Sequence, residues 1–197
     1  MTAREVKEKY ALDADARQLL IVECTEGSNA LARYYIKNDS GWWLLHRCRA
    51  YIGKNGPGKA SEGDAKTPFG PLRALRAFGI KPDPGCRLQY IDVTPGTIAC
   101  DSPGRWYNRI VKPSEYRPLM DSPADEPAGE KMWQLSPEYD YGLETDYNKE
   151  CVYPLGSAIF IHCKGAKTWT GGCVALDKRV MRQILRTADT GLRIYIL

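Results

Sequence analysis

Three runs of β-type residues follow one another within the first 53 positions, and they constrain the fold of this 197-residue chain more than any other feature. Gln18 to Cys24 is apolar and rich in branched side chains. Ala30 to Lys37 carries Tyr34, Tyr35 and Ile36, and Gly41 to Gly53 opens on Trp42 and Trp43. The segments between them, Glu26-Gly27-Ser28-Asn29 and Lys37-Asn38-Asp39-Ser40-Gly41, are made of turn formers. Such runs with such turns predict an antiparallel meander. Residues 1–16 are polar and predict a frayed helical lead-in, leaving residues 17–197 as the folded domain.

The remainder of the chain continues the β theme with one helix near its end. Residues 53–71 form a long Gly/Pro-rich loop, of a length that is usually functional when it lies inside a compact domain. Residues 72–79 predict a short strand or helical turn. Short β-type pieces follow near Leu88–Val93 and Thr97–Cys100, and Ser122 to Gly129 reads as a surface loop. Gly156 to His162 alternates as a strand, with Ile159 and Ile161 on one face and Phe160 and His162 on the other. Lys164 to Gly172 is a loop, and Cys173 to Leu176 is apolar. Asp177 is a fair N-cap for a helix whose stripe is Val180, Met181, Ile184 and Leu185. Leu192 to Leu197 is a final strand. The fold class expected is mostly β with minor α.

Composition narrows the function. At 43% apolar and 26% charged residues the chain suits one soluble domain, and no segment approaches the roughly 20 apolar residues of a membrane span. Leu19-Leu20-Ile21-Val22 is too short for the core of a signal peptide. The net charge of +4 is mild and its bases are scattered, which argues against nucleic acid as a partner and leaves a weak preference for an anionic substrate or surface. The seven cysteines include no CxxC pair, so a zinc ribbon is not expected, and their pairing is left open. Gly53-Lys54-Asn55-Gly56-Pro57-Gly58-Lys59-Ala60 nearly matches a nucleotide-binding P-loop but fails at the chemistry. Ala60 has no hydroxyl for Mg²⁺, and Pro57 removes an N–H from a loop that works by donating them. Nucleotide binding is therefore not expected.

The reactive residues lie near the C-terminus. Of two histidines, His46 sits in a β-run and reads as a strand residue satisfied by a local partner. His162 ends a strand before a loop, and eleven residues on the chain reads Thr170-Gly171-Gly172-Cys173. A strand fixes the imidazole, and the loop returns a cysteine beside it. A thiol near imidazole loses its proton more readily, and the thiolate is the reactive form. Gly171 and Gly172 allow a tight turn and offer N–H groups to a developing oxyanion. Buried structural cysteine is a competing reading. A metal site of His162, Cys163 and Cys173 is awkward, because adjacent strand residues point to opposite faces.

The block GSAIFIHC…TWTGGCVAL resembles the active-site signature of the L,D-transpeptidases, the YkuD-like domains. Glu62-Gly63-Asp64-Ala65-Lys66-Thr67-Pro68-Phe69-Gly70 and Tyr107-Asn108-Arg109 are similar to further segments of one branch. The resemblance implies a β-sandwich-like catalytic domain in which Cys173 attacks a peptidoglycan stem tetrapeptide and forms a thioester that an amine resolves. His162 acts as base, and the Cys163 carbonyl orients its ring. No cofactor or metal is implied. Thr170, Trp169, Arg109, Asn108 and Asp64 are the substrate-binding residues suggested, with Gly171 and Gly172 as backbone support. The chain departs from the family pattern at Gly171, where many members carry His, and at Ala175, where many carry Arg or Asn. Resolution by water instead would give an L,D-carboxypeptidase, and a peptidoglycan-binding domain that kept only the fold is a third possibility. The family's substrate implies a location outside the cytoplasm, in the cell envelope or secreted.

Overall fold

The computed structural model describes all 197 residues. The meander forms as expected, with β1 (Gln18–Cys24), β2 (Asn29–Asn38) and β3 (Gly41–Tyr51) in antiparallel register. The strands that follow are β4 (Leu72–Gly79), β5 (Tyr90–Asp92), β6 (Ile98–Cys100), β7 (Ile110–Val111), β8 (Gly129–Lys131), β9 (Gly142–Thr145), β10 (Phe160–Cys163), β11 (Val174–Leu176) and β12 (Leu192–Ile196). Nine of them make one sheet in the order β12-β1-β2-β3-β11-β10-β9-β4-β5, and a further β12–β4 pairing closes it on itself. The sandwich-like packing expected is thus realised as a mostly β, barrel-like sheet. Closure removes the open edges that an unclosed sheet exposes. A three-stranded sheet, β7-β6-β8, lies alongside.

The near-continuous apolar run of β1 has a direct cause. Leu20 and Val22 point into the main core, while Leu19 and Ile21 pack against a second group containing Val6 and Tyr10. A strand covered on both faces has no polar side to alternate with. The cover is α1 (Ala3–Ala11), which starts at a capping box between Thr2 and Glu5 and buries Val6 completely. The lead-in is therefore a docked helix rather than a frayed one.

A single helical turn, α2 (Pro113–Tyr116), precedes the long helix α3 (Lys178–Thr187). Met181, Ile184 and Leu185 of α3 lie in the main core with Leu143, Ile161, Val174 and Leu176. Asp177 precedes α3, yet its side chain makes no cap bond and pairs with Lys164 instead. Strand β10 is shorter than the alternation suggested, because Gly156 (φ 107°) and Ala158 (φ 51°) leave extended geometry. Within β10 the expected faces hold. Ile161 and Cys163 enter the main core, and Phe160 joins a separate cluster with Phe78, Tyr139 and Cys173.

Candidate active site

The long loop of residues 53–71 is organised by one carboxylate. Asp64 accepts the N–H groups of Ala60 (2.7 Å), Ser61 (3.1 Å) and Lys66 (3.0 Å), together with Lys59 Nζ at 3.0 Å. Partial burial opposes its charge, but these four donors outweigh it and hold the carboxyl well below its usual range. Asp64 is saturated within the loop and does not line the reactive pocket. Its job is to shape the segment that delivers Thr67.

Thr67 is completely buried. Its hydroxyl accepts the Gly53 N–H at 2.8 Å and donates to the Gly172 carbonyl at 2.7 Å. Thr170 works on the next peptide, donating to the Cys173 carbonyl at 2.6 Å and accepting the Gly172 N–H at 3.1 Å. Two buried threonines from segments about a hundred residues apart therefore fix the Gly172–Cys173 turn. The Gly172 N–H is occupied by Thr170, so it is the N–H groups of Gly171 and Cys173 that make no bond within the protein. Gly172 has φ 153°, and a β-carbon there would fall 2.9 Å from the Lys66 carbonyl oxygen, so glycine is required. Gly171 is different: a β-carbon there meets nothing within 4 Å.

Cys173 and His162 line one pocket of about 380 Å³. His162 Nδ1 lies 2.7 Å from the carbonyl oxygen of Cys163. A carbonyl can only accept, so Nδ1 carries the hydrogen and Nε2 keeps its lone pair. Tyr139 packs edge-on to the ring, with centroids 5.4 Å apart, and its hydroxyl donates to Glu130. The Cys173 thiol donates to the Ala158 carbonyl at 3.1 Å and accepts the Phe160 N–H at 3.3 Å. Burial, reinforced by Glu130, pushes the thiol up to about 12, against the Phe160 N–H and Lys59. Burial also lowers His162, although the Cys163 carbonyl and Glu138 oppose it. Both shifts favour the uncharged forms, a neutral imidazole and a thiol lining one pocket, over a standing thiolate–imidazolium pair.

The remaining residues singled out in the sequence divide between the pocket and its frame. Trp169 lines the pocket, with the ammonium groups of Lys54 and Lys167 at 5.4 and 4.6 Å from its ring. The side chain of Asn108 belongs to the frame. Its Oδ1 accepts the Ala158 N–H at 2.9 Å and its Nδ2 donates to the carbonyls of Tyr147 and Asn148. Asn108 thus sets Ala158, whose carbonyl receives the thiol. Arg109 lines a separate cavity with Arg76 and Glu144 and is not brought to Cys173. His46 lies in β3 without the expected partner, its Nε2 buried and unbonded. All seven cysteines are free thiols, and no group of His, Cys, Asp or Glu could hold a metal ion.

Several contributors stand inside the segments that carried the resemblance, without a role assigned to their side chains there. Tyr107 donates to Glu62 Oε2 at 2.6 Å and accepts the Gly156 N–H at 2.9 Å, while Ser157 donates to the same Glu62 oxygen at 2.6 Å. This trio holds the residues preceding Ala158. Thr67 and Glu62 lay inside a segment already noted, and Tyr107 beside Asn108, but which of their neighbours each would meet is decided by the tertiary fold.

A closed, mostly β domain lines one pocket with an imidazole and a cysteine, the residue types that cysteine-nucleophile chemistry uses. A family profile described as "YkuD: L,D-transpeptidase catalytic domain" matches residues 28–196. The chain belongs to this family, and so to the cysteine-dependent enzymes of the L,D-transpeptidase kind. Among solved structures, that of Bdellovibrio bacteriovorus Bd1075 is similar at 15% identity with a TM-score of 0.48, covering 94% of this chain and 49% of that one. The chain therefore spans about half the length of that protein. No curated protein matches the chain.

Proposed function

We propose that the protein is a peptidoglycan L,D-transpeptidase that acts through a thioester on Cys173. The observation that carries this reading is the His162 Nδ1 bond to the Cys163 carbonyl, which leaves Nε2 basic in the pocket that Cys173 lines. The thiol turns from the Ala158 carbonyl toward Nε2 and gives it the proton as sulfur attacks the carbonyl of the third stem residue. The C–S bond forms, and the carbonyl electron pair moves to oxygen, where the N–H groups of Gly171 and Cys173 receive it. Collapse breaks the C–N bond, and His162 returns its proton to the departing amine. The acceptor amine then attacks the thioester, His162 takes the proton from nitrogen, and the sulfur leaves and recovers it. The thioester conserves the energy of the broken amide, so the exchange needs no nucleotide.

The substrate lies outside the cytoplasmic membrane, so the protein is proposed to act in the cell envelope or as a secreted enzyme. No helix is long and apolar enough to cross a membrane. The test is incubation with a stem tetrapeptide and a second stem as acceptor, with products separated by mass. A cross-linked dimer with release of the terminal amino acid supports the reading. A tripeptide alone assigns the same thioester to hydrolysis and overturns the transferase. Unchanged peptide overturns both.

A further inference from the structure

We propose that Lys59, the last lysine of the segment that mimics a P-loop, is the electrostatic support of the Cys173 nucleophile. This rests on Cys173 being the reactive residue and goes beyond it by assigning a cation to the site. The side chain of Lys59 is only 2% exposed, yet it lines the pocket shared by Cys173 and His162. One glycine makes room for it, and a second lies beside its tip. A β-carbon on Gly156 would lie 2.3 Å from Lys59 Cε, and one on Gly172 would lie 3.8 Å from Nζ. The stem thus passes under one glycine, and the ammonium ends beside the turn that carries the nucleophile.

The bonding of Lys59 leaves capacity for the pocket. Nζ donates to Asp64 Oδ1 at 3.0 Å and to the Ser61 carbonyl at 3.2 Å, which uses two of its three N–H groups. Asp64 is meanwhile shared among three backbone N–H donors, so its charge is not reserved for Lys59. The charges lining the pocket favour a cation. Glu130 opposes a negative sulfur, Glu62, Asp101 and Glu138 line the same pocket, and neither Tyr139 nor neutral His162 supplies a positive charge. Lys167 is exposed and stacked on Trp169, which leaves Lys59 as the one buried cation.

A purely structural lysine, present to neutralise Asp64, is the competing explanation, and a charge-deletion cycle separates the two. The rate at which the neutral reagent iodoacetamide alkylates Cys173 is followed by peptide mass across pH. The sulfur forms a C–S bond, iodide leaves, and the thiol proton goes to solvent. An opposite charge within about 4–6 Å moves a pKa by roughly 1–3 units, so with Lys59 in the same pocket, Lys59→Met is expected to slow alkylation about tenfold or more on the rising, alkaline side of the profile. The double variant Lys59→Met/Asp64→Asn removes both buried charges and is expected to remain slow. Recovery of the wild-type rate in the double variant overturns the proposal, as does an unchanged rate in Lys59→Met. Should Lys59→Met fail to fold, Lys59→Gln decides, because it keeps an N–H donor for Asp64 and Ser61 while removing the charge. Alkylation slower than wild type is then expected, and an equal or faster rate overturns the assignment. The readout uses no stem peptide, so it stands even if peptidoglycan is the wrong substrate.

Discussion

Thr67 ties the residue 53–71 loop to the nucleophile turn through a single hydroxyl, and Thr67→Val removes that hydroxyl while keeping the side-chain volume. The wild-type oxygen accepts the Gly53 N–H at 2.8 Å and donates to the Gly172 carbonyl at 2.7 Å, at a position with no solvent exposure. Valine fills the same space but satisfies neither group. Each buried partner left unpaired costs about 1–3 kcal/mol, so the substitution is expected to destabilise the protein by about 2–6 kcal/mol. For a domain of this size about 2–4 °C is lost per kcal/mol, which predicts a fall in Tm of roughly 4–24 °C. Urea unfolding under reducing conditions gives the free energy, and thermal melting gives the second estimate. Thr67→Ser keeps the oxygen and is expected to recover most of the loss. The Gly172–Cys173 turn also loses one of its two threonine anchors, so acylation should slow at temperatures where the variant is fully folded. A Thr67→Val protein that melts within a degree of wild type would refute the claim that this hydroxyl holds the turn.

Other outcomes follow from the same geometry. His162→Gln should lower the rate of acyl transfer by about 10²–10⁴-fold with the fold intact, measured as thioester formation on Cys173. Because burial lowers His162 and the neutral ring is the active base, kcat/KM should fall on the acid side only below the ordinary histidine value of about 6.5. An acid limb centred above that value contradicts the assignment. Tyr107→Phe leaves the Gly156 N–H unpaired and should cost about 1–3 kcal/mol in urea unfolding. Arg109→Ala should leave acyl transfer unchanged, whereas Asn108→Ala should slow it by releasing Ala158.

The strands of the meander and the helix after Asp177 were legible because their patterns are local: alternation with period two, turn formers between runs, and a helical stripe. The face assignments of Ile161 and His162 followed from the same rule and held. What the sequence could not convey was pairing over distance. Closure of the sheet depends on β12 meeting both β1 and β4, and nothing local in Leu192 to Ile196 announces two neighbours. Asp64 and Asn108 stood in the right segments, but their side chains bond to backbone. The geometry leaves them shaping the pocket from behind. Lys59 is the sharpest case. Its segment was set aside as a failed phosphate loop, and its burial beside Gly172 depends on Gly156, nearly a hundred residues later.

The central claim is that a stem peptide becomes covalently attached to Cys173 with His162 as the base. The most direct measurement is the intact mass of the protein after brief exposure to a stem tetrapeptide at low acceptor concentration, followed by acid quench and peptide mapping. The expected result is an added tripeptidyl mass on Cys173, cleaved by hydroxylamine as a thioester is, absent in Cys173→Ala and strongly reduced in His162→Gln. A folded, reduced wild-type protein that releases the terminal amino acid without ever carrying that mass, or that carries it on another residue, would contradict the account.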